Sequence, residues 1–358
     1  MGPGPSNPYP EVTSALTYPV LGHLDPVFLG IMDETMTRLR QVFDTNNALT
    51  LPLSGTGSAG MEAAFVNLVE PGDVVVVGVN GVFGERMVEV ATRQGATVVR
   101  VDGEWGKPLD PQRLLSAHAH PKIISLVHAE TSTGVENDLA TVGKNKGDAL
   151  LIADMVTSLA GIPLSLDEWG VDLAYSGTQK CLGVPPGLSP LSVSDRARAK
   201  LRKRPPNWYL DLTLLSAYVE AGEGSARVYH HTAPVTMIGA LHAGLGAVLS
   251  EGLPAVWARH AACGALLRSG LEEMGLELLV AEGHHLPQLT TVLVPQNIPG
   301  GHDEAWVRQR LLEEYSIEIG AGAGQLAKKV WRIGCMGHTA RPGNVLMLLA
   351  ALREVLDR

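Results

Sequence analysis

Between residues 74 and 154 the chain alternates short apolar runs with segments of helical spacing, and this alternation restricts the possible folds more than any other feature. The runs are Val74-Val75-Val76-Val77, Ala96-Thr97-Val98-Val99-Arg100-Val101, Ile123-Ile124-Ser125-Leu126-Val127 and Ala149-Leu150-Leu151-Ile152-Ala153, with helices at Met87 to Gly95 and Asp110 to Ala117 between them. Repeated strand and helix in this order predicts an α/β fold with a mostly parallel sheet sandwiched by helices. In such a sheet, ligands sit at the carboxyl ends of the strands. A chain of 358 residues, 45% hydrophobic, is long enough for this large domain and a second, smaller one.

Other segments set the expected organisation. Gly2 to Pro10 is so rich in proline and glycine that an extended arm is predicted, and Pro26 to Asp44 has the spacing of an amphipathic helix. Ala197 to Arg204 reads as a basic helix with Arg202, Lys203 and Arg204 on a solvated face, and Val235 to Glu251 as the helix leading to the second lobe. Helices at Ala255 to Gly275, Asp303 to Tyr315 and Gly343 to Leu356, with a strand at Leu289 to Val294, predict a small C-terminal α/β domain. The expected division is an arm over 1–16, a large domain over 17–250 and a small domain over 251–358.

The chemistry starts at Asp154, which follows the last central run where a buried strand should end. Further on, Tyr175-Ser176-Gly177-Thr178-Gln179-Lys180-Cys181 sets a lone lysine between small and hydroxyl residues and a Gly/Pro-rich turn. Burial lowers an amine's pKa, and a neutral amine condenses with an aldehyde. Pyridoxal phosphate uses that chemistry and needs an acid beside its pyridine nitrogen, which Asp154 can supply. Lys180 alone would read as a solvated loop lysine; the strand end, the acid and the lysine together reverse that.

Ser54-Gly55-Thr56-Gly57-Ser58-Ala59-Gly60 opens a helix. Its backbone N–H groups, around Gly57, with the hydroxyls of Thr56 and Ser58, form a cup for a phosphate. The same glycines satisfy the dinucleotide fingerprint, but Pro52 is expected to interrupt the preceding strand. The next strand runs into Gly78-Val79-Asn80-Gly81 without an acid, which argues against a nicotinamide site.

These motifs, with Gly2-Pro3-Gly4-Pro5-Ser6-Asn7, Glu130-Thr131-Ser132-Thr133-Gly134, Tyr229-His230-His231-Thr232 and Arg332-Ile333-Gly334, resemble the class V aminotransferases of pyridoxal-phosphate fold type I. Within them the likeness is to the alanine/serine–glyoxylate aminotransferases, and it runs over essentially the whole chain. The resemblance implies that Lys180 tethers the cofactor and acts as general base while Asp154 pairs with the ring nitrogen. Phe83 would stack on the ring where relatives often carry tryptophan, with Val156 on the opposite face, Thr131 alongside and Gln179 at the phosphate. Tyr229 and Thr232 would reach the partner's phosphate cup across a homodimer interface. Gly22, in the loop Tyr18 to His23, would line the substrate pocket, and Arg332 would take the carboxylate through its planar fork.

The implied reaction moves an amino group from a small amino acid, alanine or serine, to glyoxylate, leaving glycine and a 2-oxo acid. One alternative is the related ureidoglycine–glyoxylate aminotransferases, which carry amides in the substrate pocket, whereas His23 and Tyr229 here are not amides. A cysteine desulfurase would want a mobile-loop cysteine, and Cys335 directly follows the Arg332-Ile333-Gly334 run. A non-catalytic relative would have no need of both Lys180 and Asp154.

Composition narrows the partners. A net charge of −9 lacks the basic face that a nucleic-acid phosphate backbone requires. Three scattered cysteines form neither a disulfide framework nor a zinc pattern, and the neighbouring His230 and His231 do not point at one metal ion. The N-terminus lacks a signal-peptide layout and no apolar run reaches about 18 residues, so a cytoplasmic protein without a membrane anchor is expected.

Overall fold

The computed structural model describes residues 1–219 and 227–358. After an irregular start come α1 (Pro10–Ala15), α2 (Pro26–Phe43), β1 (Leu49–Ser54), α3 (Gly57–Leu68), β2 (Val74–Val79), α4 (Val82–Arg93), β3 (Thr97–Asp102), α5 (Pro111–Ser116) and β4 (Ile123–Val127). A two-residue ladder of β5 (Ala129–Glu130) and β6 (Val135–Glu136) leads to α6 (Leu139–Asn145), β7 (Leu150–Asp154), α7 (Leu166–Trp169), β8 (Leu173–Tyr175) and β9 (Leu188–Val193). Then follow α8 (Asp195–Arg198), α9 (Leu212–Val219), α10 (Val235–Glu251), α11 (Leu253–Glu273), β10 (Leu289–Leu293), α12 (Glu304–Tyr315), β11 (Gly320–Ala321), β12 (Val330–Gly334) and α13 (Pro342–Leu356).

Seven strands form one sheet in the order β1-β9-β8-β7-β4-β2-β3. From β8 to β3 all pairs are parallel, and β9 is antiparallel to both its neighbours. This is the mostly parallel, helix-flanked sheet that the alternation predicts. Every residue of β4 and β7 is buried, as expected of strands covered on both faces. The parallel strands end at one edge, which gathers Asp154, Tyr175, the 130–134 turn and the start of α4.

Two local expectations need correction. Pro52 does not interrupt its strand: β1 runs through it, paired with Pro190 of β9. As an edge strand β1 tolerates a residue without an N–H. The basic helix at Ala197 to Arg204 is only one turn long, α8, because the chain then turns to dock on the end of α3. There the Arg202 N–H donates to the Asn67 carbonyl at 2.8 Å and its guanidinium to that of Val69 at 2.9 Å, so Arg202 is not on a solvated face. The arm over residues 1–16 packs on both lobes and includes α1. Tyr9 and Val12 are buried in the large core, α1 packs on α10, and Met1 packs against the small core.

The small lobe is the antiparallel sheet β10-β12-β11 with α11, α12 and α13, around Leu267, Val307, Trp331, Ile333 and Leu348. It is joined to the large lobe at Gly252, where α10 and α11 meet at 85°. Arg259 braces the joint: it pairs with Glu251 at 2.6 Å and donates to the carbonyls of Gly337 and Ala340 and to the Tyr9 hydroxyl. Next to it, buried His260 donates from Nδ1 to Val256 O at 2.7 Å and accepts the Gly337 N–H on Nε2 at 3.0 Å. Both ring nitrogens are thus used by the neutral form, and burial pushes its pKa down to about 4.

A histidine with a depressed folded-state pKa contributes no pH dependence above its unfolded value. As pH falls below about 6.5, the unfolded chain takes up a proton that the folded one refuses, and stability drops until about pH 4. The full loss is roughly 3 kcal/mol. Buried carboxyls with raised pKa values act with the opposite sign, so the comparison with a variant is the informative one. Urea melts from pH 7.5 to 4.5 are expected to fall less steeply with acid for His260→Gln than for the wild type, and parallel curves would contradict this.

Candidate active site

The last residue of β7 is Asp154, and strand register sets it opposite Tyr175 at the end of β8. The Tyr175 hydroxyl donates to Oδ2 at 3.0 Å and the Val156 N–H to Oδ1 at 2.9 Å. Burial nevertheless pushes the Asp154 pKa up to about 6, against these two donors and the positive charges of Lys180 and Arg86. A carboxylate held this way is fixed in direction and has a reason to accept a cationic neighbour.

Lys180 lies in the turn between β8 and β9. It is buried, and its Nζ donates to the Pro3 carbonyl at 2.5 Å. Burial first, and the nearby Arg332 charge second among the lowering causes, push its pKa down to about 8. Its amine is therefore far closer to neutral at physiological pH than a surface lysine. The N-terminal segment lies over it: the Ser6 N–H and hydroxyl donate to the carbonyls of Gln179 and Lys180, and the Met1 carbonyl accepts from Gly334 N–H of the small lobe. The arm thus ties the lysine to both lobes.

Thr56, Gly57 and Ser58 form the start of α3. Thr56 is its N-cap but makes no side-chain capping bond, so the Gly57 and Ser58 N–H groups keep their capacity for an anion, while the Ala59 N–H donates to the Thr56 carbonyl at 2.7 Å. A Cβ on Gly57 would meet Val156 Cγ2 at 2.8 Å, so only glycine lets the helix start approach the turn after Asp154. Gln179 has its side-chain Oε1 sealed from solvent with no partner.

The 130–134 turn connects the remaining parts. Thr131 is buried, and its carbonyl accepts from Arg332 Nη1 at 3.2 Å, while Arg332 Nε donates to Ala321 O at 2.8 Å. Arg332 is thereby carried from the small lobe over the large one, held by backbone carbonyls rather than by an acid. Phe83 is half-buried in the first turn of α4.

Sequence reasoning missed four contributors. Tyr175 orients Asp154. Glu130, fully buried, accepts from Ser132 N–H at 3.0 Å, Ser132 Oγ at 2.6 Å and Gly84 N–H at 3.4 Å, and Ser132 Oγ accepts from Val82 N–H at 2.9 Å. This pair caps α4 from another part of the chain, and Gly81 must be glycine because a Cβ there would lie 2.3 Å from Glu130 Cδ. Burial pushes the Glu130 pKa up to about 7. The third is the Pro3 carbonyl and the fourth Arg86, which reaches Ser58 Oγ at 3.4 Å.

Gly22, Tyr229 and Thr232 lie apart from this cluster. The Tyr229 hydroxyl bonds Thr232 Oγ1 at 3.1 Å, its ring sits 5.1 Å from that of His23, and Gly22 O accepts from Asp25 N–H. Tyr229 is 53% exposed. None of their described hydrogen bonds reaches Lys180, Asp154 or the α3 start. His230 and His231 stack on Trp208 and lean on Tyr209, with their Nδ1 atoms 2.6 Å apart. Cys335 is buried and its thiol pKa is pushed up to about 12 by burial, which leaves it an inert core side chain. A groove of about 700 Å³ between α11 and the loop that follows it shares no residue with the cluster.

The arrangement offers an amine with a lowered pKa, a directed buried carboxylate, an open helix start and a guanidinium. Comparison with known proteins agrees with it. The class V aminotransferase family model matches residues 19–342. The alanine–glyoxylate aminotransferase of Drosophila melanogaster is 40% identical over all of this chain and 92% of its own. Among solved structures, an alanine–glyoxylate aminotransferase from Nostoc sp. superposes with a TM-score of 0.94 at 48% identity, covering 99% of this chain and 94% of that one. The ureidoglycine–glyoxylate aminotransferase from Bacillus subtilis gives 0.95 at 40%, covering 100% and 92%. With this coverage in both directions, the chain belongs to the class V aminotransferase family and has the fold type I architecture.

Proposed function

We propose that the enzyme transfers the amino group of a small amino acid, alanine or serine, to glyoxylate, with pyridoxal phosphate held at Lys180. The observation that carries this reading is Arg332. Its guanidinium is anchored by two backbone carbonyls, makes no ion pair with a carboxylate among the described residues, and lies close enough to Lys180 to lower its pKa. One unpaired planar cation beside a reactive amine suits a small molecule with a single carboxylate, the feature that amino donor and keto acceptor share.

The residues present fit the cofactor. The Gly57 contact and the uncapped α3 start make room and donors for its phosphate, with Thr56, Ser58 and Gln179 around them. Asp154, held by Tyr175 and the Val156 N–H, would pair with the ring nitrogen, and Phe83, Val156 and Thr131 would surround the ring. When bound, the cofactor supplies an electron sink for the carbanion formed at the substrate α-carbon. Lys180 Nζ, buried and with its pKa near 8, takes and returns the proton at that carbon. Tyr175 and the Val156 N–H keep Asp154 aimed, and Arg332 orients the substrate carboxylate. The arm covers the buried lysine, its Pro3 carbonyl accepting from Nζ.

The homodimer is part of the same proposal. Exposed Tyr18, Val20, Val27, Leu214, Val228 and Tyr229 supply apolar surface around Gly22 and Thr232, residues that would complete a partner's site.

The similarity to ureidoglycine–glyoxylate aminotransferase makes the donor the point to test. A panel of alanine, serine and (S)-ureidoglycine with glyoxylate as acceptor, assayed for glycine, is expected to rank alanine or serine first. The highest kcat/KM with ureidoglycine would replace this reading by the alternative. Arg332→Ala is expected to raise KM for alanine and for glyoxylate together, by about 2 to 5 kcal/mol of lost binding, with cofactor content unchanged. Arg332→Lys should restore little, because a point charge does not reproduce the fork. Unchanged KM values with a large fall in Tm would assign Arg332 to bracing the small lobe instead.

A further inference from the structure

Among the described residues, Arg86 is the one cation at the α3 start that the reading above leaves without a task. It lies on α4 with its guanidinium carbon 5.2 Å from the centre of the Phe83 ring and its Nη1 3.4 Å from Ser58 Oγ, so it spans from the ring wall to the mouth of the cup. Its charge favours the ionised forms of Asp154 and Tyr175, which sets it on the site's side of the helix. The acids on its own helix are engaged elsewhere: Glu89 pairs with Arg93 at 2.7 Å and Glu85 with Arg100 at 3.9 Å. Among the described residues Arg86 makes no ion pair.

The cup itself is neutral. Thr56, Gly57, Ser58 and Gln179 carry no charge, and neither do Tyr229 and Thr232, the residues assigned to it from a partner subunit. A phosphate at a helix N-terminus gains from N–H donors and the helix dipole, and a guanidinium adds charge-assisted hydrogen bonds to the same oxygens. An unpaired arginine whose donor already touches a cup hydroxyl is placed to supply them.

We infer that Arg86 binds the phosphate group of the cofactor and provides the cationic partner that the α3 cup lacks. This rests on the proposal that pyridoxal phosphate occupies the site. It separates two parts of cofactor recognition: Lys180 and Asp154 hold the ring, while Arg86 and the α3 start hold the phosphate.

The test compares pyridoxal phosphate with pyridoxal, which has the same ring and aldehyde but no phosphate. Full-length cofactor-free protein is titrated with each, and uptake is followed by absorbance, for the wild type, Arg86→Gln and Arg86→Lys. The expected result for Arg86→Gln is a Kd for pyridoxal phosphate raised by about ten- to a hundredfold, with the Kd for pyridoxal within twofold of wild type. Arg86→Lys should recover part of the loss, since a phosphate also accepts a point charge. A ratio of the two Kd values equal to that of the wild type overturns the inference. This holds whether both are unchanged or both rise together, as bracing of the Phe83 wall would produce. Wild-type protein that takes up neither aldehyde overturns the cofactor reading and this inference with it.

Discussion

Lys180→Ala is expected to lower transamination by at least about 10² to 10⁴-fold, the share that a positioned general base supplies. The variant also loses the covalent tether, so cofactor should wash out on gel filtration, where the wild type keeps it. The basis is geometric as well as chemical. Lys180 is buried in the β8–β9 turn, its pKa is pushed down to about 8, and its amine has one described hydrogen-bond partner, a backbone carbonyl. Neutral amines that lack a counter-ion are nucleophiles and bases, whereas a solvated lysine at neutral pH is neither. Added small amines should recover part of the rate in the variant by replacing the base but not the tether. Ordinary turnover without added amine would remove Lys180 from the mechanism.

For Asp154→Asn the expected loss is about thirty- to several-thousandfold in kcat, corresponding to about 2 to 5 kcal/mol for breaking a buried charge pair. Cofactor content should remain near normal. Asparagine is isosteric: its one carbonyl oxygen can still accept from the Val156 N–H while its amide nitrogen donates to a reoriented Tyr175 hydroxyl, so the fold of the β7 end is preserved. What it lacks is the charge that would hold a ring nitrogen protonated. Burial outweighs the two donors and the charges of Lys180 and Arg86 and pushes the Asp154 carboxyl up to about 6, so without a further cationic partner it would be partly protonated in mild acid. A raised carboxyl pKa has its own sign in folding: the folded state gains stability as pH falls from about 6 toward the unfolded value near 3.9. Bound cofactor should abolish that gain, because a pyridinium stabilises the ionised form. A rate within a few-fold of wild type would show that the carboxylate charge is not needed.

The large sheet was legible because β4 and β7 are buried on both faces and so read as unbroken apolar runs. Asp154 stood out for the same reason, as a charge ending such a run. The start of α3 was legible because closely spaced glycines at a helix start have few structural uses. The misreadings came from contacts made far along the chain. Pro52 reads as a strand breaker, although its edge position makes it harmless. The helix at 197–204 was overextended because nothing local shows that Arg202 turns to meet Asn67.

The unread parts of the site share a cause. Tyr175 meets Asp154 through strand register, Glu130 caps a helix that begins at Val82, and the Pro3 carbonyl is a backbone atom without a residue signature. Arg86 looked like any helix-surface arginine, and only the pairing of Glu85 and Glu89 elsewhere leaves it unpaired. Such features depend on three-dimensional neighbours. Gly22, Tyr229 and Thr232 are a different case, since their proposed roles require a second subunit.

The most direct test of the central claim follows the nitrogen atom. Purified enzyme incubated with unlabelled glyoxylate and, in parallel, [¹⁵N]alanine or [¹⁵N]serine should yield [¹⁵N]glycine and the matching 2-oxo acid in one-to-one ratio from at least one of the two donors, with neither product formed by Lys180→Ala. Absence of label in glycine from both donors, with enzyme that holds its cofactor, would contradict it.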